Sequence, residues 1–280
     1  MVGGIWRHLD HPSVVPERRE RRLTPSKTHL VLIPSYNPGG RGVETVRAAR
    51  AQWAPVWVVV DGSTDESAEG FSALAQSDPQ VRVLVRSKNG GKGAALFDGL
   101  LEAQRAGFTH VLTMDSDGQH PAQCVPQFMA ASAAAPLAMI LGIPVFDASA
   151  PKIRVRGRKI SNWAANLETL YAGIQDSLFG FRVYPIAPLV AVMRQTRWMR
   201  RFDFDAEAVV RLSWRGIPIV NLPAPVRYFA PAEGGVSHFH YWRDNVLLTS
   251  MYLRLIAGWF LRVPLLIARR IGAPRGTRHE

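Results

Sequence analysis

The chain has 280 residues, 47% of them apolar and 20% charged, a balance that excludes global disorder and suits one large α/β domain with appendages. Its one cysteine, Cys124, excludes an internal disulfide and a cysteine-built zinc site and fits a reducing compartment. Lys and Arg outnumber Asp and Glu by 34 to 22, a net charge of +12 concentrated in residues 152–159 and 246–280, which calls for an anionic partner: nucleic acid, anionic membrane or phosphorylated substrate.

Residues 1–27 are rich in Arg, Pro and His and contain no apolar stretch long enough for a secretory signal, so a mobile lead-in and a cytoplasmic location are expected. Short β-branched apolar runs follow at 29–35, 56–62, 81–87, 110–116 and 138–145, each bounded by turn residues. Helical patterns occupy 42–52, 65–76, 91–106 and 121–134 between them. Apolar runs that do not alternate mark strands covered on both faces, hence a mostly parallel sheet flanked by helices. Such sheets bind ligands at the carboxyl ends of their strands.

That rule gathers four polar clusters on one edge: PSYN (34–37), DGSTD (61–65), NGGKGAAL (89–96) and DSDGQH (115–120). DGSTDES also reads as a simple helix start, with Ser63 or Thr64 capping and Asp65 and Glu66 in the first turn. NGGKG lacks the spacing of a P-loop, yet free amides and a lysine at a helix start suit a diphosphate. No GxGxxG follows the first strand, which argues against a dinucleotide. Asp115 and Asp117, oxygen ligands near a phosphate pocket, suit Mg2+ or Mn2+, whose shells phosphate and water complete. An acidic pair in this position also argues against a nucleic-acid partner.

In this order and at these intervals, PSYN, VVVDGSTDES, NGGKGAAL, MDSDGQHP and the later GFRVYP (180–185) resemble the nucleotide-sugar domain of family 2 glycosyltransferases over residues 28–230. The subgroup of dolichyl- or polyprenyl-phosphate sugar synthases and related bacterial lipid-linked transferases is the nearest in pattern, and FDFDAEAVVRLSWRGIPI (202–219), followed by GGVSHFHYWRDN (234–245), is similar to some of those bacterial enzymes. The resemblance implies a GT-A fold, a Rossmann-like sheet with a C-terminal amphipathic helical appendage, divided as a flexible segment 1–27, a glycosyltransferase domain 28–235 and basic membrane-surface helices 236–280. It implies that Pro34, Tyr36 and Asn37 border the base and that Asp61 contacts base or ribose. Lys92 then lies by the diphosphate, Asp115 and Asp117 hold Mg2+ or Mn2+ with Asp117 the more direct ligand, and Gln119 and His120 shape the sugar site. Val60 stands where many members carry a first aspartate, and Phe179 where a small residue is common.

Departure of the nucleoside diphosphate needs electrostatic stabilisation, which the metal and Lys92 supply in this reading. A hydroxyl acceptor also needs a base, for which Asp176, Glu207 and Asp205 are the candidates; a lipid phosphate, already anionic, does not. Asp205 and Glu207 are two apart on one helix, so only one of them readily serves, and Asp203 or Asp205 also reads as its cap. On the acceptor side, 152–170 reads as a basic loop entering a helix, Arg182 as a phosphate ligand or a partner of a nearby acid, and His238 as a diphosphate contact. Residues 246–271 are apolar, but arginines leave no run near the roughly 18 residues a membrane span needs. Arg243, Arg254, Arg262 and Arg269 share one sector of a helical wheel, the pattern of a helix lying in a membrane interface, with Pro264 dividing it; the alternative is a helix packed on the core with solvated arginines. The expected protein is a cytoplasmic, peripheral, inverting glycosyltransferase that takes a UDP- or GDP-sugar to a lipid or polyprenyl-phosphate acceptor on an anionic membrane surface. A hydroxylated lipid acceptor or a sugar-nucleotidyltransferase is the alternative.

Overall fold

The computed structural model describes residues 23–146, 152–227 and 241–272. Residues 1–22 of the expected lead-in, and the 228–240 stretch with His238, lie outside the described residues, as does the Arg243 side chain. Seven strands form one sheet: β1 (His29–Ser35), β2 (Val56–Asp61), β3 (Val81–Arg86), β4 (His110–Thr113), β5 (Met139–Phe146), β6 (Arg182–Pro185) and β7 (Ile219–Val226). Their spatial order is β3-β2-β1-β4-β6-β5-β7, parallel throughout except that β6 runs antiparallel to both β4 and β5. The helices are α1 (Gly40–Arg50), α2 (Ser67–Ser77), α3 (Lys92–Arg105), α4 (Val125–Ala134, after a 3-10 turn), α5 (Lys152–Glu168), α6 (Ile186–Arg194), α7 (Phe204–Trp214), α8 (Tyr241–Phe260) and α9 (Val263–Gly272).

Both faces of the sheet are covered, which is why the central strands carry continuous apolar runs. Leu30, Leu32 and Val59 pack with Leu96 and Leu100 of α3, Leu189 of α6 and Val209 of α7, while Val31, Ile33 and Val58 pack with Phe71 of α2 and Phe128 of α4 on the other face. Strand β4 stops at Thr113, short of the expected 116: the Met114 N–H still donates to the Leu32 carbonyl at 3.2 Å, but the Asp115 N–H turns to His120, donating to Nδ1 at 2.9 Å. The basic stretch expected as a loop is helical from Lys152 onward.

The feet of β1 and β4 are pinned by a stacked histidine pair. His29 and His110 lie with centroids 4.4 Å apart, Nδ1 of each beside the hydroxyl of the preceding threonine at 2.9 Å. Burial, with the His110 ring adding to it, holds His29 down to about 4. A ring kept neutral in the fold favours the native state above the unfolded value near 6.5, and that advantage disappears as pH falls from there through 4. Thermal melts from pH 7 to 4 are expected to show a loss of at most about 3 kcal/mol from this residue, with a shallower slope in His29→Gln.

The C-terminal helices lie against the domain with their arginines turned toward it. Arg254 stacks 4.0 Å over Trp198, Arg262 stacks 4.7 Å over Trp214, and Arg269 Nη1 donates to the Trp214 carbonyl at 2.5 Å. The arginine sector is therefore turned toward the domain, with Arg254 and Arg262 half-buried and Arg269 exposed but still bonded to it, because guanidinium planes pack on indole faces as readily as they meet water. A line of apolar side chains faces out. Val246, Leu253 and Phe260 recur at seven-residue intervals on one rib of α8, and Leu261, Leu265 and Ile271 continue it, all between 51 and 83% exposed. Pro264 sits in the first turn of α9, where it is tolerated, and the two helices bend by 67°. Among the described residues no single helix is long and apolar enough to cross a membrane, although this bent pair passes the same test together.

Candidate active site

The loops after β1 and β2 are sewn together. Asn37, held at φ 44, accepts from the Thr64 N–H at 2.7 Å and donates through Nδ2 to the Thr64 hydroxyl at 3.2 Å, while its own N–H donates to Ser63 Oγ at 3.1 Å. Ser63 and Thr64 are thus spent on the PSYN loop and do not cap α2, which begins later, at Ser67. The residue that serves that helix start is Asp65, whose Oδ1 accepts from the Ser67 N–H at 3.3 Å and whose Oδ2 accepts from the Gly39 N–H at 2.9 Å. Pro34 is the buried penultimate residue of β1 and Tyr36 follows it into this loop.

Asp61, at the carboxyl end of β2 and 2% exposed, turns into the glycine-rich loop. Its oxygens accept from the N–H groups of Gly90 at 3.0 Å and Gly91 at 2.7 Å and pair with the Arg86 guanidinium. The amides expected to face a diphosphate therefore hold a carboxylate of the protein, so Asp61 shapes the NGGKG turn from beneath. The turn needs its glycines: Gly91 has φ +97, and a Cβ on Gly62, at φ +67, would lie 2.6 Å from the Asn89 nitrogen.

Gly91 launches α3 with Lys92 as its first residue, and Lys92 carries the cation of the site. Nζ lies 2.7 Å from Asp115 Oδ1 and 2.8 Å from Asp205 Oδ2, joining the loop after β4 to the first turn of α7. Burial opposes the ammonium charge, but the two carboxylates outweigh it and hold Lys92 above its ordinary value. Asp205 Oδ1 is buried without a hydrogen-bond partner. Gly180 makes room for the cluster, since a Cβ there would stand 2.6 Å from Lys92 Nζ and 3.3 Å from Asp115 Oδ2 and Asp205 Oδ1.

His120 braces Asp115 from the other side. Because Nδ1 accepts from the Asp115 N–H, the ring proton resides on Nε2, 3.5 Å from Asp115 Oδ2. Burial pushes His120 below its ordinary value. Edges of Phe179 and Phe181 enclose the ring, with centroids at 4.8 and 5.7 Å. Burial also resists ionisation of Asp115, yet Lys92 and then His120 outweigh it and hold this acid below the usual carboxylate range. Asp117 is pushed up, by burial first and by the Asp115 charge next. It accepts the Gln119 N–H at 2.9 Å across a turn in which Gly118 takes φ 76. Gly118 and His120 also line a cleft of about 330 Å3 whose walls include Arg41 and Arg227.

Comparison with known proteins gives this arrangement a family. The model described as Glycosyl transferase family 2 matches residues 30–196, more than half of the chain. The chain belongs to glycosyltransferase family 2. This glycosyltransferase is 28% identical over 247 residues to the polyprenol monophosphomannose synthase of Mycolicibacterium smegmatis, covering 80% of this chain and 88% of the relative. It is 27% identical over 199 residues to the undecaprenyl-phosphate mannosyltransferase of Micrococcus luteus, covering 69% and 81%. Its fold matches glucosyl-3-phosphoglycerate synthase from Mycobacterium tuberculosis in complex with Mn2+, UDP-glucose and phosphoglyceric acid, with TM-score 0.57, 17% identity and coverage of 89% and 82%. The mostly parallel sheet flanked by helices is accordingly a GT-A-like fold.

Within the glycosyltransferase, the three acids considered as base separate sharply. Asp176 is 2% exposed; its Oδ1 accepts from Arg158 Nη1 at 2.7 Å and from the N–H groups of Leu178 and Phe179 at 2.9 and 2.6 Å. Its lone pairs are spent on folding the loop before β6. Glu207 is fully buried on the opposite side of α7, between Arg211 at 2.6 Å and Arg254 at 3.3 Å. Of the three candidates only Asp205 reaches the Lys92–Asp115 cluster, and the surroundings of Asp176 and Glu207 tell against them as bases. Asp203, at the helix start, accepts from the Met199 and Arg201 N–H groups at 3.0 and 2.9 Å, which makes it the residue that fixes this turn. Arg182 is 0% exposed, donating to the Tyr184 hydroxyl at 2.9 Å and to the carbonyls of Asp205 and Asp176 at 2.5 and 3.2 Å. It locks β6 to α7 from inside and offers no surface to an acceptor phosphate. Arg86 was missed by sequence reasoning although its signal was there: it ends β3 in register with Asp61.

Among the described residues no three His, Cys, Asp or Glu side chains converge as a metal cage. Asp115 and Asp117 still fit a hard divalent cation, because the repulsion that raises Asp117 is what a cation between them relieves, and donor phosphates and water complete such a shell.

Proposed function

We propose that this glycosyltransferase transfers a sugar, with inversion, from a nucleoside-diphosphate sugar to a polyprenyl phosphate or similar lipid phosphate at an anionic membrane surface, with Mg2+ or Mn2+ held by Asp117 and Asp115. The observation that carries the reading is the buried Lys92 ammonium between Asp115 and Asp205, beside Asp117, at the carboxyl edge of the sheet. A divalent cation at the aspartate pair would supply charge neutralisation for the departing diphosphate. Lys92 is preset to meet the same anion, being buried, permanently charged and on the first turn of a helix whose N-terminus faces that edge. Asp205 balances positive charge as it grows at the anomeric carbon, the role a carboxylate serves in oxocarbenium-like transition states. A phosphate oxygen attacks without surrendering a proton. For a hydroxyl acceptor, the bare Asp205 Oδ1 is the oxygen free to take one.

The names of the mannosyl-transferring relatives support a lipid phosphate, and the uncharged rib of α8 and α9 supports action at a lipid surface. Each fully buried large apolar side chain contributes about 1.5 to 3 kcal/mol, so a few suffice for reversible seating. The test incubates purified protein with UDP- and GDP-sugars, Mn2+ and undecaprenyl phosphate in phosphatidylglycerol vesicles. One donor is expected to deliver its sugar to the lipid fraction with release of nucleoside diphosphate. Release of pyrophosphate, or no transfer from any donor, would overturn the reading. Leu253→Glu combined with Phe260→Glu is expected to abolish sedimentation with these vesicles while leaving transfer to detergent-dispersed acceptor; unchanged pelleting would remove the rib from the interface.

A further inference from the structure

Arg254 differs from Arg262 and Arg269 in what it grips. Its guanidinium lies 4.0 Å over Trp198, with Nη2 3.3 Å from Glu207 Oε2 and 3.9 Å from Asp203 Oδ2, and Nη1 donates to Ser250 on its own helix at 2.8 Å. Asp203 and Glu207 flank Asp205 on the first turn of α7. Glu207 is otherwise held by Arg211, one turn along the same helix, a pair that fixes nothing beyond α7. Arg254 reaches Asp203 and Glu207 of this turn from α8, as Lys92 reaches Asp205 from α3.

The same guanidinium also steadies the support of Lys92. Trp198 and Asp203 bound the turn that leads into α7, and the Arg200 carbonyl in that turn accepts the Ala94 N–H of α3 at 2.9 Å. A Cβ on Gly91 would approach that carbonyl to 2.6 Å, so the glycine turn bearing Lys92 rests directly on it. Both partners of the Lys92–Asp205 pair are thus braced from one side chain on the helix that bears the apolar rib.

We propose that Arg254 is a positioning residue that holds the first turn of α7 and the 198–203 turn in place, so that Asp205 meets Lys92 and the attachment of α8 is linked to the geometry of the site. The inference rests on the reading of Asp205 given above. An ångström of drift at a reacting centre costs about a hundredfold in rate, which sets the scale of the effect.

The experiment measures kcat and donor KM in detergent with undecaprenyl phosphate and whichever of UDP-glucose or GDP-mannose the panel accepts. Arg254→Met is expected to lower kcat about 10- to 100-fold with donor KM changed less than about threefold, and Arg254→Lys, which keeps a cation near Glu207, to stay within about threefold of the parent. Glu207→Gln is expected to mimic Arg254→Met, and the double variant to fall no further than the worse single one. Wild-type kcat in Arg254→Met, equal losses in the Met and Lys variants, or losses that multiply in the double variant would each overturn the proposal. Should Arg254→Met fail to fold, Glu207→Gln carries the same kcat test. Asp205→Asn separates the two ideas: full activity there sinks the reading of the site itself, whereas an inactive Asp205→Asn beside a fully active Arg254→Met sinks only the role of Arg254.

Discussion

Lys92→Met is expected to lower kcat/KM by about 10^2- to 10^3-fold and the stability of the fold by about 3 kcal/mol. The two losses have one origin. Asp115 and Asp205 both direct an oxygen at Nζ, at 2.7 and 2.8 Å, in a setting where side-chain exposure is 13% for Lys92 and 9% for Asp205. Removing the ammonium leaves two carboxylates facing each other, of which only Asp115, 31% exposed, is partly screened by water, and it also removes the fixed cation that meets the departing diphosphate. Chemical denaturation reads the first loss and transfer kinetics the second. Lys92→Arg is a poor substitute despite its charge, because Gly180 leaves space for a compact ammonium and a planar guanidinium does not fit where a Cβ at 180 would already lie 2.6 Å from Nζ. A Lys92→Met protein with parental kcat/KM would place the cation outside the reaction.

Asp117→Asn is expected to reduce kcat/KM by a similar factor while stability holds or rises slightly. Asp117 is the carboxylate that the fold disfavours as a charge, raised by burial and by Asp115, so replacing it with a neutral isostere relieves repulsion. The amide oxygen can still accept the Gln119 N–H that closes the turn. What it loses is the negative charge for a divalent cation. Titration with Mn2+, followed by its paramagnetic effect on water protons, is therefore expected to show weaker binding in Asp117→Asn than in the parent, independently of any turnover. Equal Mn2+ affinity in the two proteins would detach the aspartate pair from the metal.

Much of this molecule is legible in its residues, and the limits have physical causes. β1 was expected at 29–35 and is found there, because a run that must be buried on both faces admits few polar residues and its ends are marked by turn formers. The convergence of the loops after β1, β2, β3 and β4 follows from parallel pairing alone. The segment 176–181 escapes that rule: it enters the site because β6 is antiparallel, pairing Thr113 with Arg182, and direction of pairing is set by neighbours far away in sequence. The roles of Asp176, Glu207 and Arg182 stayed hidden for a related reason. A buried ion is recognised by what encloses it, and the donors around Asp176 come from α5 and from its own loop, while those around Glu207 come from α7 and α8. Periodicity correctly put Arg254, Arg262 and Arg269 on one sector. It says nothing about which sector faces the domain, and the aromatic rings of Trp198 and Trp214 decide that.

The rib of Val246, Leu253 and Phe260 has a practical corollary for the protein away from lipid. A bare hydrocarbon strip on a cationic particle is a colloidal liability, and two particles can hide their strips against each other only by bringing like charge together. Self-adhesion is therefore governed by ionic strength: repulsion keeps molecules apart in dilute buffer, and added salt, by screening it, lets the strips find one another unless a mild surfactant covers them first.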